Sequence, residues 1–302
     1  MAAAPERHDK LGLALGVVGI TAFAGSLPAT RIAVSELSPW FVTSARATIA
    51  GFAAAIVLSV MHRAWPPAHA RVSVIIVAIG VILFFPLFTA LAMQSVPASH
   101  GGVVIAVLPL ATAVAAALLA HERPSALFWT ASIAGAAIVI FFSLRFGHSG
   151  SWSFTSGDLW LLAAVGAAAV AYTLSGKLAR TMPGWEVISW ACLLALPFFA
   201  GATAALWPDN FADVSLRTWT ATFYVGLVAQ FLGFFAWNAG LAMGGIARVG
   251  QVQLLQPFIT LTIAAFINNE QVEIETIVFA AAVAATVLIG LRTRAMPIQP
   301  VS

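Results

Sequence analysis

Ten apolar stretches, each long enough to cross a bilayer as a helix, follow one another along the chain and leave no room for a soluble domain. A membrane-spanning helix needs about 20 apolar residues. Because every backbone N–H and C=O in hydrocarbon must be bonded within the protein, helix is the expected form of such stretches. The predicted spans are Leu11–Val34, Trp40–Met61, Val72–Met93, His100–Ala120, Ser125–Ser143, Asp158–Lys177, Trp185–Leu206, Thr218–Leu241, Ala247–Ile267 and Ile274–Leu291.

Composition supports a membrane class. Hydrophobic residues make up 61% of the chain and charged residues only 8%, whereas soluble domains are roughly 25% charged. We therefore predict an all-α membrane protein with ten transmembrane helices, surrounded by lipid in a bacterial-type inner membrane. The first apolar stretch is expected to be a retained helix and not a cleaved signal peptide. The formal charge of +3 gives no indication of nucleic acid binding.

Lysine and arginine predict the orientation. With the N-terminus inside, ten of the 14 basic residues fall on the inner side and four on the outer side. Basic residues concentrate in cytoplasmic loops. The even number of spans then places both the N- and the C-terminus in the cytoplasm.

The sequence lacks the residues that several functional classes need. Cys192 is the single cysteine and the six histidines show no ligand spacing, so we expect no metal and no cofactor. No predicted span has an acidic residue in its middle or a set of catalytic side chains, and the sequence has no phosphate-binding P-loop. The chain is therefore predicted not to be an enzyme and not to use ATP directly.

The two halves of the sequence resemble each other. Leu91–Met93 (Leu-Ala-Met) recurs as Leu241–Met243 at an offset of 150, and the 13-residue spacing from Pro109 to Glu122 recurs from Pro257 to Glu270 at an offset of 148. We predict two five-helix repeats, residues 1–149 and 150–302. Because five is odd, the second copy enters the membrane inverted. Inverted repeats are typical of secondary transporters, which bind substrate near the midplane between the repeats. With both repeats on one chain, a monomer is expected to suffice.

These features resemble the EamA-type members of the drug/metabolite transporter superfamily. The resemblance rests on the proline-bearing helices that end in Glu, residues 108–122 and 256–270, and on Arg46 in span two after Pro39. Within the superfamily the chain is most similar to the ten-helix aromatic amino-acid exporter group. The second half departs from the pattern, since Ala191 stands near the position equivalent to Arg46. The first span also lacks the acidic residue with which the small multidrug-resistance relatives exchange protons.

Polar residues within spans are candidates for substrate binding because burying them in hydrocarbon is costly. Gln251, Gln253 and Gln256 cluster just before Pro257, and Gln253 and Gln256 share one helix face. Such amides hold a carboxylate or an ammonium group without adding charge. The alternative is that they hydrogen-bond neighbouring helices.

Two further spans carry candidates. Trp237 and Asn238 lie in span eight, two turns from Gln230, and Tyr172 lies among small residues in span six. A buried tyrosine hydroxyl needs a partner, which a cavity supplies. The alternative is helix packing.

Arg46 and His100 complete the candidates for substrate binding. Arg46 is the one cation well inside a predicted span. It either binds a substrate carboxylate, reaches the outer headgroups, or pairs with Glu36. His100, near the outer end of span four, is either a proton relay or a capping and packing residue.

Prolines and glycines predict features of the backbone. The symmetry-related Pro109 and Pro257 each remove a helix hydrogen bond, so we expect paired bend points that either gate the protein or form static kinks. The pairs Gly12/Gly16 and Gly240/Gly244 predict close helix contacts.

The favoured function is a secondary transporter that exports aromatic or other neutral amino acids by alternating access around a central cavity. Export is implied by the resemblance alone. One alternative is a carrier for another small molecule of the superfamily, such as a nucleotide sugar or a cationic drug. An alternative of another class is a channel or a membrane scaffold without transport activity.

Overall fold

The computed structural model describes residues 4–96, 101, 104–146, 155–209, 211–260, 262 and 274–292. Within these residues all regular secondary structure is helical. This confirms the all-α class. Six helices are long and apolar enough to cross a membrane, namely Asp9–Ala33, Pro39–Val60, Ala68–Ser95, Ser156–Leu178, Gly184–Ala205 and Leu216–Gly244. Shorter apolar helices cover Leu108–Leu119, Ala126–Phe141 and Ile277–Leu291.

Several of the long spans are built from more than one helical segment. The described α-helices are α1 (Ala4–Ala24), α2 (Ser26–Ala33), α3 (Pro39–Val60), α4 (Ala68–Val77), α5 (Phe85–Ser95), α6 (Leu108–Leu119), α7 (Ala126–Phe146), α8 (Ser156–Leu178), α9 (Gly184–Ala205), α10 (Leu216–Phe223), α11 (Gly233–Gly244), α12 (Ile246–Gly250) and α13 (Ile274–Arg292). Residues 256–260 are also α-helical. A π-helix joins α4 to α5 over Ala78–Phe84, and another joins α10 to α11 over Tyr224–Leu232.

The ninth predicted span departs from a regular helix. Its described part consists of α12, the 3₁₀ segment Gln251–Leu255 and the helical residues 256–260. The first predicted span is likewise interrupted, at Gly25 between α1 and α2. Apolar periodicity does not reveal such interruptions, because each segment on its own is apolar and helical.

Side chains of the second half satisfy the backbone where the first span is interrupted. Pro28 has no N–H to donate to the carbonyl of Ala24, and the Thr260 hydroxyl donates to that oxygen at 2.7 Å. The Tyr224 hydroxyl donates to the carbonyl of Ala22 at 2.9 Å. Non-helical backbone at membrane depth persists only where protein or water pairs its polar groups. The interruption therefore depends on contacts between the two halves.

Glycines allow a close contact between α1 and α11. A Cβ on Gly12 would lie 2.6 Å from the backbone nitrogen of Gly244, and one on Gly240 would lie 2.9 Å from that of Gly16. The close helix contacts predicted at these glycines are confirmed, and the structure shows in addition that the two pairs contact each other. Since lipid is as apolar as the helix surfaces, close van der Waals packing of this kind stabilises membrane helices.

Among the described residues, three ion pairs join the first half to the second at one end of the bundle, called the basic end hereafter. They are Arg180–Glu122 at 2.5 Å, Arg248–Asp9 at 2.7 Å and Arg63–Glu186 at 3.6 Å. The Glu122 carboxylate also accepts from the backbone N–H groups of Ile246 and Ala247, at 3.0 and 2.9 Å. It thereby caps the start of α12.

Candidate substrate cavity

A cavity lies between the two halves, near the middle of the spans that line it. The space between its lining atoms amounts to about 500 Å³, part of which is open to solvent. Residues of both halves face it. The lining residues are Phe23, Ser26, Leu27, Arg46, Val81, Phe85, Ile105, Leu108, Tyr172, Ala229, Gln230, Phe234, Gln253 and Gln256.

Arg46 is the only charged residue among the described residues of this lining. It lies seven residues after Pro39, the first residue of α3, which at about 1.5 Å per residue places it about 10 Å into the span. Arg46 is only 3% exposed, and its Nε and Nη1 atoms have no hydrogen-bond partner among the described residues. A buried guanidinium group with free donors is costly, so the cavity favours an anionic group.

Glu36 does not neutralise Arg46. Its carboxylate accepts from the backbone N–H of Ser215 at 2.7 Å and from the Ser215 hydroxyl at 2.8 Å. These hydrogen bonds, and above all the one from the Ser215 backbone, hold the pKa of Glu36 below its usual range. Of the three alternatives for Arg46, its burial disfavours a reach to the headgroups, and its lack of a partner disfavours the pair with Glu36.

Three glutamines of the second half supply the amide groups of the cavity. Gln230 is 1% exposed, and neither amide atom has a partner among the described residues. Gln253 is 5% exposed, and its Oε1 atom is likewise without a partner there. The Gln256 amide is less available to a ligand, because its Nε2 atom already donates to the carbonyl of Phe23 at 3.5 Å.

Aromatic rings form one wall. Tyr172 packs edge-on against Phe234 and Trp237, with ring centroids 5.7 and 5.6 Å apart. Phe23 contacts the same two rings at 4.9 and 5.9 Å. Trp237 is fully buried behind the lining. It thus supports the wall and does not face the cavity.

Two other predicted binding residues hydrogen-bond between helices. The Asn238 amide accepts from Ser175 Oγ at 2.9 Å and donates to the carbonyl of Gly184 at 3.0 Å. The Gln251 amide donates to the hydroxyl of Ser132. Neither residue is among the described lining of the cavity. Their positions favour the alternative that these amides connect helices. His100 lies outside the described residues.

The paired prolines lie at helix starts and not in helix interiors. Pro109 is the second residue of α6, after a turn at residues 106–107. Pro257 is the second residue of the helical stretch 256–260, after the 3₁₀ segment. Proline suits the first turn of a helix, where its missing N–H has no partner to lose. Each proline therefore lies in the first turn of the helix that follows an interruption beside the cavity.

Gln230 is the lining residue whose importance the sequence conceals most. The sequence shows only that it lies two turns from Trp237. The structure places it in the π-helix Tyr224–Leu232. Such π-helical turns are frequent at functional sites. A polar residue at the centre of an apolar span was the available signal, but the same signal marks Gln251 and Asn238.

A bundle of apolar helices with a partly polar cavity between two halves is the architecture of a membrane transporter. The model of the EamA-like transporter family matches the chain twice, over residues 10–144 and 155–291. The chain belongs to this family. It is a multi-pass integral membrane protein.

Named relatives share most of their length with the chain. The uncharacterized transporter YdeK of Bacillus subtilis (strain 168) is 42% identical over 257 residues, which cover 85% of this chain and 88% of the relative. A probable terminal-alkyne amino-acid exporter of Streptantibioticus cattleyicolor is 23% identical over 249 residues, 82% of each chain. A solved crystal structure matches with a TM-score of 0.72 over 92% of this chain and 97% of its own, at 18% identity. This last likeness concerns the fold alone.

Proposed function

We propose that this protein is a secondary transporter that exports amino acids, aromatic or otherwise neutral, across the inner membrane. The observation that carries the proposal is the cavity between the halves, which combines one buried cation, uncharged amides and an aromatic wall. A zwitterion has little net charge but two strongly polar ends, and such a lining suits it. The amino-acid exporter among the relatives supports the same substrate class.

Transport requires that the cavity open to each side of the membrane in turn. In our proposal ten spans form two inverted five-helix repeats with both termini in the cytoplasm, so the basic end faces the cytoplasm. The three ion pairs there each join one half to the other. Alternating access then consists of separating the halves at this end while they approach at the other. The chain would act as a monomer.

Two alternatives fit the cavity less well. A nucleotide sugar or a phosphate ester carries at least two negative charges and calls for several cations, whereas Arg46 is the only cation of the described lining. A cationic drug would be repelled by Arg46, and the described lining contains no carboxylate to hold it.

Counterflow in proteoliposomes tests the proposal. Vesicles are loaded with a high concentration of one unlabelled amino acid, and uptake of labelled Phe, Trp, Thr and Met is followed at equal pH on both sides. We expect transient accumulation above equilibrium. It should fall about tenfold or more in the variant Gln253→Leu with Gln256→Leu, because two polar lining groups are lost.

The matched control is Gln94→Leu, since Gln94 is an exposed amide at the end of α5. Its counterflow should equal that of the wild type. Accumulation that survives the double variant would keep the function and remove these glutamines from the site. Activity towards a nucleotide sugar or a cationic dye, with none for any amino acid, would overturn the proposal.

A further inference from the structure

Arg46 stands apart from the other described arginines that the structure pairs. Arg63, Arg180 and Arg248 each meet a carboxylate, and Arg31 donates to the carbonyls of Met93 and Val96. Arg46 has two buried donors without a partner among the described residues, and it faces the cavity. Its natural complement is therefore a group that enters the cavity.

The geometry points to Arg46 as the residue that binds the carboxylate of the substrate, with the amide oxygens of Gln230 and Gln253 receiving its ammonium group. This inference rests on the proposed function and names the chemistry of the site. It makes recognition of the carboxylate the dominant polar interaction in the cavity.

The chemistry of the two ends of the substrate supports this assignment. A guanidinium group presents donors in a planar fork that matches the two oxygens of a carboxylate. Hydrogen bonds with an ionised donor or acceptor are roughly twice as strong as those between neutral groups, and a guanidinium–carboxylate pair adds the attraction between two opposite charges. The described lining contains no Asp or Glu, so the ammonium meets only neutral acceptors. Loss of the carboxylate should therefore cost more affinity than loss of the ammonium.

Neighbouring contacts hold Arg46 and Gln230 in the same region. A Cβ on Gly226 would lie 3.0 Å from the backbone oxygen of Arg46, so α3 and the π-helix touch there. Gln230 follows Gly226 by four residues in that π-helix. The cation and the unpaired amide thus project from two segments in direct contact.

The test uses three probes with one carbon skeleton and the full-length protein in detergent. L-phenylalanine carries both polar groups, 3-phenylpropionate lacks the ammonium, and L-phenylalaninamide lacks the carboxylate. Affinities are measured by titration calorimetry. We expect L-phenylalanine to bind best and L-phenylalaninamide to bind worst, about tenfold or more below L-phenylalanine.

The variant Arg46→Gln should weaken L-phenylalanine and 3-phenylpropionate by about tenfold or more and leave L-phenylalaninamide nearly unchanged. Arg46→Lys, which keeps the charge but not the fork, should be intermediate. Arg31→Gln is the control, because Arg31 bonds backbone carbonyls outside the described cavity lining. It should keep the order and the affinities of the three probes.

Measurements of the unfolding temperature show whether a loss of binding in a variant comes from misfolding. Without ligand, Arg46→Gln should unfold at the wild-type temperature or above, because it removes a buried charge that lacks a partner. The carboxylate probes should raise the unfolding temperature of the wild type and not that of Arg46→Gln. A marked loss of stability in Arg46→Gln, with no effect of carboxylates on the wild type, would assign Arg46 a structural role and overturn the inference.

Other results overturn the inference separately from the proposed function. They are absence of binding by every carboxylate probe at millimolar concentration, an unchanged preference for carboxylates in Arg46→Gln, and tighter binding of phenyl phosphate than of 3-phenylpropionate. Carboxylate binding that depends on Arg46, without counterflow of any amino acid, would keep the site and remove the carrier. Unchanged amino-acid counterflow in Arg46→Gln would keep the carrier function and remove Arg46 from its binding site.

Discussion

The two halves of the chain contribute unlike walls to the cavity from equivalent positions. At the offset of 148, Ile105 and Leu108 of the first half correspond to Gln253 and Gln256 of the second, and all four face the cavity. The halves thus share a backbone feature, a helix with a proline in its first turn after an interruption, but they differ in the side chains that face the cavity.

The π-helices show the same division. At the offset of 150, the segment Ala78–Phe84 corresponds to residues 228–234, which overlap the π-helix Tyr224–Leu232. Gly80 then corresponds to Gln230. Gly80 packs against α8, where a Cβ added to Gly80 would lie 2.6 Å from the Cβ of Ala171, whereas Gln230 lines the cavity.

The difference teaches that backbone symmetry and side-chain asymmetry serve separate needs. Two similar backbones can exchange conformations, which alternating access requires. A substrate with a carboxylate, an ammonium and an apolar part requires different groups around it. We therefore expect exchange of side chains between equivalent positions to impair function more than it impairs folding.

The largest effect should follow from exchanging the walls. The variant Ile105→Gln, Leu108→Gln, Gln253→Ile, Gln256→Leu keeps the composition of the cavity but moves the amides to the other half. We expect amino-acid counterflow to fall about a hundredfold, because two polar contacts, each contributing roughly tenfold, no longer meet the substrate. Counterflow at the wild-type rate in this variant would show that the overall polarity of the cavity suffices and that transport does not depend on which half carries the amides.

Removal of Gln230 should have the next largest effect on transport and almost none on stability. In Gln230→Leu we expect KM for amino-acid uptake to rise about tenfold through loss of one polar contact. The unfolding temperature should be unchanged or higher, because both amide atoms lack partners among the described residues. A large fall in that temperature with normal KM would make Gln230 a structural residue.

The amides that bond between helices should behave in the opposite way. Asn238→Ala removes two hydrogen bonds and leaves the Ser175 hydroxyl and the Gly184 carbonyl without these partners. We expect a loss of about 1–3 kcal/mol in the free energy of unfolding, measured by denaturant or thermal melts. KM should stay within about twofold of the wild type, since a remote hydrogen bond changes substrate contacts little. A selective rise in KM would return Asn238 to the binding site.

The smallest expected effects come from replacing two carboxylates at the basic end, one from each half. Glu122 of the first half binds Arg180 and two backbone N–H groups, whereas Glu186 of the second half pairs with the 41% exposed Arg63 at 3.6 Å. Glu122→Gln should lower the free energy of unfolding by about 1–2 kcal/mol and Glu186→Gln by at most about 1 kcal/mol. Equal losses in thermal melts would show that the backbone bonds of Glu122 add nothing.

Much of the fold follows from the sequence alone, because hydrocarbon leaves an apolar stretch few alternatives to a helix. The all-helical class and close helix contacts at the glycine pairs could be predicted from the sequence, whereas the structure alone shows that the two pairs contact each other. The repeat could be recognised because the spacing of proline and glutamate is independent of tertiary contacts. Arg46 could be singled out because a cation within an apolar span is costly wherever the helix packs.

Only the tertiary structure separated amides that look equivalent along the chain. Gln251 and Gln253 are two residues apart, yet Gln251 bonds Ser132 on another helix while Gln253 faces the cavity. The outcome depends on the 3₁₀ turn that carries both residues and on what each neighbouring helix offers. Helix interruptions were hidden for the same reason. The groups that satisfy the free carbonyls, such as Thr260 at Ala24, come from the other half of the chain.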